Sequence, residues 1–178
     1  MKITFGIAAL IVAAALMSGA STGHRQVTKN EKSPSADTSM KLGDKAITIE
    51  YNAPSARGRA VEGGLVPYGK VWRLGADAAT TLTTDADITI GDLHVPQGVY
   101  TLYILASEDG WKLIVNKQTG QWGTEYSESQ DLGRVSMKTA KVSPVETLKI
   151  TLKSTGASAG ALDITWGATR ASVPVKLG

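Results

Sequence analysis

Apolar and polar positions alternate with a period of two along most of this chain. Ile47, Ile49 and Tyr51 alternate with Thr48 and Glu50, and Ile88 and Ile90 flank Thr89. The alternation returns at Trp111, Leu113 and Val115, at Leu148, Ile150 and Leu152, and at Leu162, Ile164 and Trp166. Each run predicts a half-buried strand. From Val99 to Ala106 both faces are apolar, which predicts a central strand covered on both sides. Gly43-Asp44, Gly91-Asp92, Pro96-Gln97-Gly98 and Glu108-Asp109-Gly110 offer tight reversals between the runs. The Asp109-Gly110 pair predicts a hairpin whose turn needs positive φ. Outside the N-terminal segment no window holds an apolar stripe at helical spacing; Ala76–Ala79 admits one helical turn. Short strands without helices can bury their apolar faces only against another sheet. The expected fold is therefore all-β: a single antiparallel β-sandwich or partly open barrel with long irregular loops.

The N-terminus breaks this pattern. Lys2 precedes an unbroken apolar run from Ile3 to Met17, followed by the small residues Ser18, Gly19 and Ala20. That order predicts a signal peptide over residues 1–20, cleaved after Ala20, and export to the periplasm or beyond. An uncleaved membrane anchor is the alternative, although the run is short for a bilayer span of about 20 residues. Residues 21–38 are polar and aperiodic, which predicts a flexible tether ahead of one domain at 39–178. Without residues 1–20 the formal charge falls from +3 to +2 with the loss of Lys2. So small a charge gives no support to nucleic-acid binding. The chain has no cysteine, which removes disulfides, thiol nucleophiles, lipidated cysteine and cysteine-ligated zinc together.

Candidate chemistry concentrates where the alternation fails. Between Gly63 and Thr84 lie Tyr68, Lys70, Trp72, Arg73 and Asp77, and just upstream stand Arg57 and Arg59 around Gly58. Arginine forks grip carboxylate or phosphate through paired bonds, and aromatic rings stack on sugars or guanidinium planes. Trp72 and Leu74 flank Arg73 and favour a buried Arg73 paired with Asp77 or Asp131. Arg57 and Arg59 are the better ligand candidates. A second group, Gln121-Trp122-Gly123 with Glu125 and Tyr126, suits either a stacking platform for carbohydrate or a lid over one end of the fold, the lid being favoured.

Other signals lead nowhere. Gly64, Gly69 and Lys70 begin a phosphate loop, but Val71 stands where its magnesium-binding hydroxyl belongs and no helix follows. His94 has no nucleophile elbow near it. Asp85, Asp87 and Asp92 do not fit a calcium loop, because Ile90 falls on its glycine position. No metal or cofactor is expected.

The motifs Tyr51-Asn52-x-Pro54-Ser55-x-Arg57-Gly58-Arg59, Gly63 to Asp77, Pro96-x-Gly98-x-Tyr100-x-Leu102-Tyr103 and Gln121-Trp122-Gly123, with Asp131-x-x-Arg134 and the closing Trp166–Val175 segment, point to a family. Together they resemble a bacterial family of exported proteins catalogued only as a domain of unknown function. The likeness spans about residues 35–175. It implies an exported, mostly β single domain and brings no activity and no catalytic residues. Asp77 departs from the asparagine usual in that pattern, and an acid there would pair more readily with Arg73 or Arg59.

The expectation is an envelope protein that binds without catalysis, through a cationic and aromatic loop pocket, an anionic or glycan-like ligand or a protein partner. The enzymatic alternative is a hydrolase or lyase with Asp77, Asp131 or Glu125 as base, Tyr68 or Tyr126 as proton donor and arginines stabilising developing charge. A purely structural role is the third.

Overall fold

The computed structural model describes residues 32–178; the signal segment and residues 21–31 of the expected tether lie outside the described residues. The strands in chain order are β1 (Ser35–Leu42), β2 (Lys45–Asn52), β3 (Val71–Trp72), β4 (Thr81–Thr84), β5 (Ile88–Ile90), β6 (Leu93–Val95), β7 (Gly98–Ala106), β8 (Trp111–Asn116), β9 (Asp131–Ser154) and β10 (Ala159–Leu177). All pair antiparallel in one sheet of order β1-β2-β4-β7-β8-β9-β10-β5-β6, with β3 also on β7. The edge strands β1 and β6 do not pair with each other, so the sheet stays open rather than closing into a barrel. Among the described residues no α-helix occurs, and no helix is long and apolar enough to cross a membrane.

The fold turns on β9. Its first residues, Asp131 to Met137, pair with β8, and Lys138 to Ser154 pair with β10. One long strand thus belongs to both halves of the sheet and carries it round so that the halves face each other. Contacts across the closing gap fix the fold-over: the Ile150 amide donates to the Tyr51 hydroxyl at 3.1 Å, and the Leu152 amide donates to Thr38 Oγ1 at 3.0 Å. Between the halves lies the core, in which Trp72 and Trp166 stack with centroids 5.6 Å apart and planes 21° apart.

The alternating runs behave as expected: Ile47, Ile49 and Tyr51 on β2, Leu113 and Val115 on β8, and Leu162, Ile164 and Trp166 on β10 all face the core. β7 is covered on both faces from Tyr100 to Ile104, its outer side by the loop of residues 117–130, whereas Val99 remains 46% exposed.

Three expectations are corrected. Residues 35–38, assigned to the tether, form the start of β1, because β2 offers a full ladder from Ser35–Asn52 to Leu42–Lys45. Ala76–Ala79 makes no helical turn, since the Ala76 amide is taken by Asn52 O and the Ala79 amide by Gln121 O. The hairpin at Asp109-Gly110 exists, but as a four-residue loop in which the Ser107 amide bonds Gly110 O at 2.9 Å. Gly110 is not among the glycines with positive φ.

Candidate functional site

β3 and β4 lie end to end along one edge of β7, with Trp72 opposite Ile104 and Thr81 opposite Thr101. The chain between them must therefore loop out from the sheet. Thr80 Oγ1 donates to Leu74 O at 2.7 Å and holds the loop's base. Gly75 has φ +155, and a Cβ there would sit 3.0 Å from Asn52 O, so the tight path needs glycine.

A second loop faces it. Arg57 and Gly58 carry φ of 50° and 75°, and the Arg59 amide bonds Ala56 O at 3.1 Å. Two consecutive positive φ values inside such a bond describe a turn of the primed class. The turn is anchored to β9 by the Arg57 amide, which donates to Glu146 Oε1 at 2.7 Å. Among the described residues the non-glycine positions with positive φ are Arg57, Leu74 and Asp77, all in these two loops. Backbone strain of this kind costs about 1–3 kcal/mol per residue and gathers where geometry is put to use.

Between the loops lies an open cleft of about 300 Å³ lined by Lys32, Ser33, Ser55, Arg57, Arg59, Trp72, Arg73, Asp77 and Trp166, with Pro54, Leu65, Gly75 and Ala76. The buried Trp72–Trp166 stack backs it. Arg59 donates from Nε to Ala56 O (2.9 Å) and from Nη2 to Ser55 O (3.0 Å), and Arg73 Nε reaches Gly75 O at 3.3 Å. None of the three arginines takes part in an ion pair among the described residues. Four cations thus face one carboxylate.

That carboxylate does not neutralise them. Asp77 Oδ2 accepts the backbone amides of Lys32 (3.0 Å) and Ser33 (3.1 Å). The expected Asp77–Arg73 or Asp77–Arg59 pair is absent, because two amides from the irregular segment ahead of β1 satisfy the acid instead. Asp131, the other proposed partner of Arg73, is engaged elsewhere. It accepts Asn116 Nδ2 (2.9 Å), the Tyr126 hydroxyl (2.8 Å) and Arg134 Nε (3.0 Å). Burial first, and then the bond to Asp131, push the Tyr126 phenol up to about 12. It keeps its proton at neutral pH and is far from the pKa that suits general acid–base work there. Glu125 is exposed and lines neither this cleft nor its neighbour.

The remaining sequence-predicted residues divide. Trp72 lines the cleft together with Arg57, Arg59, Arg73 and Asp77, and Tyr126 lines an adjoining cavity. Tyr68 lies instead beside Trp111 and Thr139, because it bridges to Ala106 on the far end of β7. Lys70 is exposed next to it and reaches neither cavity. Trp122 is 39% exposed, bridges to Ala78 and lines neither cavity. Lys32, Ser33 and Trp166 were missed. Trp166 carried only the signature of a core residue, and the two others carried no signal at all.

The family's sequence model matches residues 33–175. The chain belongs to the family described as "Protein of unknown function (DUF2911)". The match covers all but the last two residues of the sheet, includes both cleft loops, and agrees with the resemblance read from the motifs. It assigns this family no activity. No curated protein and no solved structure matches the chain.

Proposed function

We propose that this member of the family is an exported, non-enzymatic binding module that captures an anionic ligand in the cleft between the Arg57 and Arg73 loops. The observation that carries the reading is three guanidinium groups on one open cleft, none of them paired with an acid among the described residues. Arg59 and Arg73 are held by backbone carbonyls, which leaves their remaining N–H groups for carboxylate or phosphate, and the order imposed on these two in advance lowers the entropy lost on binding. Asp77, held by two amides, pairs with none of the three arginines. Export rests on the charged, apolar and small-residue order of residues 1–20.

Calorimetric titration of the protein with inorganic phosphate and with citrate tests the site. Binding is expected to weaken steeply with added salt and to fall at least about tenfold in an Arg57→Ala, Arg59→Ala double variant. Equal affinity in the double variant, or no binding by either anion, overturns the proposal. Recovery of the protein with its N-terminus at Ser21 from the periplasmic fraction tests the export half.

A further inference from the structure

The arginine cleft shares part of its lining with a neighbouring cavity. Leu65, Trp72 and Arg73 line both it and a second open cavity of about 420 Å³, which extends past Pro67 to Thr124 and Tyr126. The two cavities differ in chemistry. The first holds Lys32, Arg57 and Arg59, whereas the second has no charged side chain other than the shared Arg73. The Tyr126 hydroxyl is committed to Asp131 and Arg134, and its ring is fixed against Tyr103 with centroids 4.9 Å apart at 67°. What Tyr126 offers a ligand is therefore ring surface.

We infer, building on the anion-binding reading, that the two cavities act as one groove that takes an acidic oligosaccharide. A carboxylate or phosphate sits on the guanidinium end, and an adjoining sugar ring lies in the tyrosine end, with Arg73 at the junction. Three features favour a saccharide over a purely aromatic acid. A sugar ring has an apolar C–H face and a hydroxyl rim. The second end matches both, since Pro67, Trp72 and Tyr126 supply apolar surface while Thr124 and the backbone at Gly64 supply polar groups. Both cavities open to solvent and share a wall, so a chain can pass through instead of ending in a slot. And no carboxylate lines the second end, so an anionic chain makes no direct contact with an acid there.

Isothermal titration of the whole protein with four probes tests this: inorganic phosphate, a short oligogalacturonate, a phosphorylated maltose and neutral maltotetraose. At least one of the two acidic saccharides is expected to bind about tenfold or more tighter than phosphate, and maltotetraose far more weakly than either. Which acidic saccharide gains identifies the anion as carboxylate or phosphate. Thr124 is exposed on the rim of the second end, so Thr124→Trp fills that space without touching the core. This variant is expected to abolish the gain while leaving phosphate affinity unchanged. Acidic saccharides that bind no tighter than phosphate, or a gain that survives Thr124→Trp, overturn the groove. If phosphate binding nevertheless disappears in the Arg57→Ala, Arg59→Ala variant, the anion site stands without it. If that double variant leaves phosphate affinity unchanged, both fail.

Discussion

Arg57 gives the sharpest test, because stability and binding there should move in opposite directions. Its φ of 50° places an L-residue in the left-handed region, followed by Gly58 at 75°. That conformation costs a residue with a Cβ about 1–2 kcal/mol, and glycine avoids it. Glycine in turn loses more backbone entropy on folding, about 0.5–1 kcal/mol. Among the described residues Arg57 is held by its backbone amide, which donates to Glu146 Oε1, and every substitution but proline keeps that bond. Arg57→Ala should therefore change stability by no more than about 0.5 kcal/mol. Arg57→Gly should be more stable than Arg57→Ala by roughly 0.5–1 kcal/mol, or about 1–4 °C in midpoint for a domain of this size. Both variants should lose anion affinity equally, since both remove the guanidinium. Urea titration followed by tryptophan fluorescence, with calorimetric titration of phosphate alongside, measures the two quantities. If Arg57→Ala loses more than about 1 kcal/mol, the guanidinium is a structural strut, and the claim that it stands ready for a ligand is refuted.

Other outcomes follow from the same contacts. Asp77→Ala strips the acceptor from the Lys32 and Ser33 amides and should cost about 1–3 kcal/mol in urea unfolding, whereas Asp77→Asn keeps an acceptor and tolerates the φ of 56°, so it should cost less. Trp166→Ala removes the stack on Trp72 from a site only 2% exposed and should cost about 3–5 kcal/mol by the same assay. Burial pushes the Glu62 carboxyl up, but bonds from its own amide, the Thr169 hydroxyl and the Ala168 amide, together with Lys141, outweigh it and hold the group below the ordinary glutamate range. A depressed carboxylate stabilises the fold above its unfolded pKa and loses that contribution as pH falls through its folded value. Glu62→Gln should accordingly lessen the loss of midpoint temperature between pH 5 and pH 3, read by circular dichroism; an unchanged slope would remove Glu62 from the acid limb.

The strands with strict alternation were legible because burial on one face of a sheet dictates a period of two, as at Ile47, Ile49 and Tyr51. The middle of β9 was not. Lys138 to Val145 is largely exposed and aperiodic, and it is a strand because β10 pairs along it, with register shifts around Val145 that accommodate Pro144. Residues 35–38 likewise became strand through pairing with β2 and not through their own composition.

At the candidate site the sequence determined the residue types and their concentration in glycine-punctuated loops: Arg57, Arg59, Trp72, Arg73 and Asp77 were all named from the chain alone. Tertiary structure decided which of them meet. The shared lane of β3 and β4 along β7 turns the Arg73 loop outward, and the fold-over of the sheet brings Glu146 on β9 under the Arg57 turn. The same geometry sends Tyr68 to the far end of β7 and hands Asp77 to two backbone amides from the N-terminal segment. Local sequence fixes charge and turn chemistry because those act over a few residues. Which carboxylate neutralises which arginine depends on groups more than 40 residues apart, as with Asp77 and Lys32, and is settled only when the sheet closes around them.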